Sequence, residues 1–178
     1  MAIESSLASF IKGRPVAEDP TDETTLARVM AWVNECNTHH DCQQEPRPLP
    51  LRVLDLSSGR INLHETSGEL GAYITLSHCW GSSKQFTTTK TTLASRKAGI
   101  DYELLPKTYQ DAIFITRLLG IRYLWIDSLC ICQDDNGDWQ RESAKMGLVY
   151  SNAYLTIAAA SAKDSSVGLF THRVPHSM

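Results

Sequence analysis

Apolar residues at Leu26, Val29, Met30 and Val33 recur at helical spacing, which predicts an amphipathic helix from about Thr25 to Thr38. The polar stretch Gln43–Pro50 carries three prolines and reads as a linker or extended edge. Leu51-Arg-Val-Leu-Asp-Leu and Arg60-Ile-Asn-Leu-His then flank Ser57-Ser-Gly59, a hairpin pattern. The second half alternates more strongly. Ala72–Leu76 is a short β-rich run, and Pro106 opens a helix with a stripe of Tyr109, Ala112, Ile113 and Thr116 that Gly120 closes. Ile121–Ile126 is almost continuously apolar, as a strand covered on both faces must be. Asp138 is placed to cap a helix running to about Asn152, and Tyr154–Ala160 predicts a further strand.

Strand, helix, strand, helix, strand implies right-handed crossovers. The expected fold is α/β: an open, mainly parallel sheet flanked by helices, preceded by an N-terminal helix and a β-hairpin. Residues 1–50 are expected to form a helical lead-in and Pro-rich linker, and 51–178 the principal domain. In such a sheet, ligands bind in the loops leaving the carboxyl ends of the strands. That rule gathers Ser77, His78, Cys79 and Trp80, then Asp127 and Ser128, then the first turn of the helix carrying Glu142, and finally Ser161–Ser166 on one rim.

Glu142 does not fit its helix. On a wheel of about 100° per residue it falls inside the arc of Trp139, Met146, Val149, Tyr150 and Ala153. An inward carboxylate must be paired, hydrogen-bonded or placed in a cleft. It is either a functional acid or a structural one, capping its helix or paired with Arg117 or Arg122. Asp127, at the end of an apolar strand, carries the same two readings. Trp80 follows a rim strand, where its indole could stack on a planar ring. Ser77, His78 and Cys79 do not make a hydrolase by themselves, because neighbours in extended chain face opposite ways. His64 is the nearest alternative base. The nucleophile elbow, the glycine-rich dinucleotide loop and the phosphate-binding P-loop are all missing.

Composition narrows the field. The chain has 178 residues, 42% hydrophobic and 21% charged, with a net charge of -3, enough for a proper core and without the basic footprint of a nucleic-acid binder. No stretch has the length of a membrane span, so a cytoplasmic protein is expected. Five cysteines at irregular spacing argue for reduced thiols rather than a disulfide framework. Cys36, His39, His40 and Cys42 match no standard finger, and Cys130 and Cys132 alone are a weak metal signal, so no metal is expected.

Tyr73-Ile-Thr-Leu-Ser-His-Cys-Trp-Gly81, Leu105-Pro-Lys-Thr-Tyr-Gln-Asp-Ala112, Ile121–Asp134, Asp138-Trp-Gln-Arg-Glu142, Val149-Tyr-Ser-Asn-Ala153 and Gly168-Leu-Phe170 stand in order along the chain. These blocks, over about residues 72–173, resemble the fungal heterokaryon-incompatibility (HET) domain family. The resemblance implies an effector of non-self recognition that triggers growth arrest or cell death, with self-association and protein partners of the incompatibility pathway. HET domains have been likened to Toll-receptor-type (TIR) domains, which have a flavodoxin-like sheet and in some members cleave NAD with a glutamate. By that analogy Glu142 is the catalytic carboxylate. Ser77, His78, Trp80, Asp127, Ser128 and Trp139 would contact the substrate, and NAD would be substrate rather than cofactor. The rival reading is a non-enzymatic, self-associating signalling module. Members of the family usually continue well beyond this domain, so the chain reads as a shortened form or a fragment.

Overall fold

The computed structural model describes residues 17–40, 45–57, 59–81 and 86–171. Helix α1 (Glu23–His39) starts at Asp22, whose carboxylate accepts the Thr25 amide at 2.9 Å. Strands β1 (Arg47–Pro48) and β4 (Leu70–Gly71) pair as a small antiparallel ribbon. The Pro-rich stretch therefore forms an edge rather than a bare linker. The main sheet holds β2 (Arg52–Asp55), β3 (Asn62–Glu65), β5 (Tyr73–Ser77), β6 (Tyr123–Ile126) and β7 (Leu155–Ala158). Its spatial order is β3-β2-β6-β5-β7.

The parallel half matches the sequence pattern: β5 lies between β6 and β7, parallel to both. The hairpin β2–β3 also forms, but it joins the same sheet by pairing β2 antiparallel to β6. The sheet is thus mixed. An antiparallel partner needs no crossover helix, and the four buried residues of β2 supply the covering that β6 requires.

Between β5 and β6 the chain passes through α2 (Leu93–Ala98), a short 3₁₀ turn (Tyr102–Leu104) and α3 (Lys107–Leu118). Between β6 and β7 it passes through α4 (Asp127–Cys130), α5 (Asn136–Ser143) and α6 (Met146–Ser151). The two connections leave in opposite directions relative to β5. With the usual right-handed sense, their helices cover opposite faces and open a crevice between the carboxyl ends of β5 and β6. Side chains agree on the α6 face: Trp125 meets Tyr150 edge-on with ring centroids 5.6 Å apart, and the Tyr73 hydroxyl donates to the Val149 carbonyl at 2.6 Å. Ile74, Leu76, Leu124 and Ile126 alternate with these, all wholly buried.

The expected single helix from Asp138 to Asn152 is two. Asp135, not Asp138, is the cap, accepting the Gly137 and Asp138 amides, and α5 ends at Ser143. Asp138 instead points into the core, where it meets Arg52 and accepts the Cys132 amide at 2.8 Å. The break also overturns the single helical wheel: Trp139 is 51% exposed, outside the buried arc assigned to it.

Candidate functional site: a crevice at the carboxyl edge of the sheet

The last residues of β5 and β6 bring together side chains that lie far apart in sequence. The Trp80 indole N–H donates to Asp127 Oδ2 at 2.9 Å, while Asp127 Oδ1 accepts the Ser128 amide at 2.7 Å. His78 stands beside them with its Nδ1 3.9 Å from Asp127 Oδ1. Its Nε2 lies 3.0 Å from the Tyr109 hydroxyl, which in turn is 2.7 Å from Ser128 Oγ. Ser128 and Tyr109 are wholly buried, and the His78 side chain is 1% exposed. Asp127, one-fifth exposed, is the opening to this group.

The electrostatics are dominated by burial and one acid. Burial holds His78 below the usual imidazole value, and the charge of Asp127 partly opposes this. Burial pushes Tyr109 up to about 12; its bond to Ser128 opposes that rise and the Asp127 charge adds to it. Tyr150, whose hydroxyl reaches the Leu76 carbonyl at 3.4 Å, is likewise pushed to about 12 by burial and by Asp127. Burial in the crevice therefore favours the neutral imidazole and the two neutral phenols beside Asp127. Buried Cys130 is raised to about 12 and makes no thiolate nucleophile.

Ser77, His78, Trp80, Asp127 and Ser128 all lie at the carboxyl ends of β5 and β6, with Ser77 and neighbouring Cys79 exposed. The loop after β7 joins them at Gly81. This glycine has φ +63°, and a Cβ there would stand 2.4 Å from Asp164 Cβ and 2.9 Å from the Lys163 carbonyl oxygen. Only glycine lets the two loops close.

Glu142 is 6% exposed, so it faces inward as its position on the helix implies. Two parts of the expectation are overturned. It occupies the last turn of α5 rather than the first, so it gains nothing from the amide-rich end of the helix. Its ion-pair partner is neither Arg117 nor Arg122 but Lys145 at 3.2 Å; Arg122 pairs with Asp55. His64 on β3 pairs with Glu69 and stacks on Tyr123 at the amino end of β6, opposite the crevice. Cys36 Sγ and His40 Nδ1 are 3.4 Å apart, and Cys42 lies outside the described residues.

Tyr109 is the member that residue patterns missed, having been assigned wholly to the apolar stripe of α3. A signal existed: a phenol in the first turn of a crossover helix starts at the sheet's carboxyl edge. Other motif residues are structural. Thr108 accepts the Gly168 amide at 3.1 Å, Asp111 accepts the Leu169 amide at 2.8 Å and the Lys107 ammonium, and the Thr108 amide donates to the Ser165 carbonyl. The Leu105–Ala112 and Gly168–Phe170 blocks are thus two sides of one seam.

The fold and crevice define an α/β domain with a polar site at the switch point of its sheet. The sequence model of the heterokaryon incompatibility protein (HET) family matches residues 73–178, more than half of the chain. The protein belongs to the heterokaryon-incompatibility family. No curated protein and no solved structure matches it.

Proposed function

We propose that this domain is a cytoplasmic effector of fungal heterokaryon incompatibility that cleaves the nicotinamide–ribose bond of NAD. Family membership supports the role in incompatibility. The observation that supports the chemistry is the inward carboxylate of Glu142 on α5, a helix anchored near the carboxyl end of β6 through Asp138 and Arg52. The C1′–N bond breaks with its electron pair going to the pyridinium nitrogen, so nicotinamide leaves neutral and no general acid is needed. Water adds its oxygen to C1′ and releases a proton, giving ADP-ribose. One carboxylate suffices to stabilise the oxocarbenium-like charge, in contrast to ordinary glycoside hydrolysis with its two. Lys145 is more than half exposed and free to swing away as ribose hydroxyls take its place. Trp80 and Trp139 offer flat surfaces for a ring, Ser77, His78 and Asp127 contact the sugar and phosphates, and wholly buried Ser128 serves substrate binding from behind, through Tyr109.

The Glu142–Lys145 pair also favours a second reading, in which Glu142 is a structural acid and the domain signals by self-association and recruitment of pathway partners. Nicotinamide release from NAD separates the two, measured at high protein concentration with assembly monitored alongside. Under the first reading wild type releases nicotinamide and Glu142→Gln loses at least about 100-fold of that rate. A folded, assembled wild type that releases none rejects the enzyme; equal rates from both proteins reject the role of Glu142. Among the described residues, no helix is long and apolar enough to cross a membrane.

A further inference from the structure

His78 presents an unresolved polar atom. Among the described residues its buried Nδ1 has no hydrogen-bond partner, although its other nitrogen is bound to Tyr109. Buried nitrogens are rarely left so, and each exception calls for a cause, a bound group among them. The hydrogen-bond network decides what Nδ1 offers. A chain of donation from Ser128 Oγ to the Tyr109 oxygen, and from the Tyr109 hydroxyl to Nε2, leaves the imidazole proton on Nδ1. That proton then faces the Asp127 carboxylate. The reverse chain would set a bare nitrogen lone pair against a carboxylate across 3.9 Å, which Coulomb repulsion disfavours. Tyr109 and Ser128 thus fix which face of the ring is a donor.

The 3.9 Å between Nδ1 and Asp127 Oδ1 is too long for a direct bond. It suits one oxygen about 2.8 Å from each that accepts from Nδ1–H and donates to the carboxylate. A hydroxyl does both, and so does a water, which a hydroxyl of the ligand would replace. A carbonyl or phosphate oxygen cannot donate, and an ammonium cannot accept. Asp127 stays oriented throughout, because the Ser128 amide and the Trp80 indole hold its two oxygens separately.

The geometry points to His78 and Asp127 as a clamp for a single sugar hydroxyl of the ligand, with Tyr109 as the positioning residue that sets the imidazole. The assignment rests on the NAD reading for its ligand class, and names the ribose hydroxyls of ADP-ribose as what the clamp holds. It is independent of whether Glu142 catalyses cleavage. Trp80 has a second task here: its bond to Asp127 Oδ2 leaves Oδ1 to receive the hydroxyl proton.

The test is a ligand titration of the full chain with histidine ring nitrogens labelled by ¹⁵N. ADP-ribose is the probe, alongside two analogues lacking the 2- or the 3-hydroxyl of the terminal ribose. The His78 Nδ1 resonance moves on saturation with ADP-ribose. One analogue binds roughly tenfold more weakly, the worth of one hydrogen bond. Asp127→Asn weakens ADP-ribose roughly tenfold and abolishes the discrimination against that analogue. Tyr109→Phe, which keeps the buried ring, changes the tautomer balance of His78 in the free protein, a readout that a purely structural tyrosine would not move. Failure to bind ADP-ribose, an unmoved Nδ1 resonance, or equal affinity for all three ligands overturns the clamp. If ADP-ribose binds as expected while wild type releases no nicotinamide from NAD, the clamp stands and the cleavage reading falls. Nicotinamide release with a silent His78 leaves cleavage standing and removes the clamp.

Discussion

The first turns of α3 serve two polar clusters of opposite character. On one side Lys107, Thr108 and Asp111 hold the 165–169 segment in a seam where Ser165, Gly168 and Leu169 all find partners. On the other, Tyr109 enters the crevice, where a buried nitrogen of His78 has none among the described residues. Thr88 Oγ1, also buried without a partner among the described residues, belongs to a residue whose amide donates to the Ser128 carbonyl. One block of sequence, Leu105–Ala112, therefore borders both a matched and an unmatched polar cluster. A matched cluster rigidifies the fold, whereas an unmatched one bears a standing desolvation cost that a ligand can relieve. Motif density alone does not distinguish them.

The contrast is broken most severely at Asp111. Asp111→Ala leaves the Leu169 amide without its acceptor, and a loss of about 2–3 kcal/mol in urea unfolding is expected. Faster amide exchange should then be confined to the 165–169 segment and the start of α3, leaving the β5–β6 pairing protected. Exchange spread evenly over the sheet would show that the seam is not a separate unit.

Gly168→Ala probes the same seam through the backbone. Gly168 sits at φ +91°, and a Cβ there would lie 2.7 Å from Asp111 Oδ2. Thermal melts should show about 1–2 kcal/mol of destabilisation from the left-handed backbone alone. A neutral result would mean that the loop moves freely off α3.

The crevice should differ in its response to pH. Burial lowers the folded pKa of His78 below its unfolded value of about 6.5. Its contribution is therefore complete above that value and is lost as pH falls from about 6.5 through the lowered folded pKa. Denaturant titrations of wild type should lose stability over that window at no more than about 1.4 kcal/mol per pH unit for this one group. His78→Gln should flatten the slope, and an unchanged slope would assign it to another residue.

At the small end lies Trp139. Half exposed on α5, it should cost under about 0.5 kcal/mol when replaced by alanine. A larger loss would restore it to the core arc that the single helical wheel assigned to it.

Much of the fold was legible from local pattern. The runs at Ala72–Leu76 and Ile121–Ile126, the proline before α3 and the glycine after it all mark elements that form. Gly120 takes φ +70° where the helix must stop. The crevice was legible in part, because the rule of carboxyl-end loops needs only the order of strands and helices. What escaped were partnerships between distant residues. Arg52, an isolated cation opening an apolar strand, donates to the Cys130 carbonyl and pairs with Asp138, and nothing near it in sequence names either. The same distant demand drew Asp138 out of its expected capping role and left that role to Asp135.

By itself the chain determined the strands of the parallel half, the helix that follows Pro106 and the family to which it belongs, because those depend on residue types at short spacing. Tertiary structure alone decided that the hairpin joins β6 antiparallel and that Asp138 turns inward to meet Arg52. It also decided that Tyr109 reaches Ser128 and His78. Each of these is a choice of partner for a buried polar group, and such a partner is selected by proximity in space, which residue spacing along the chain does not encode.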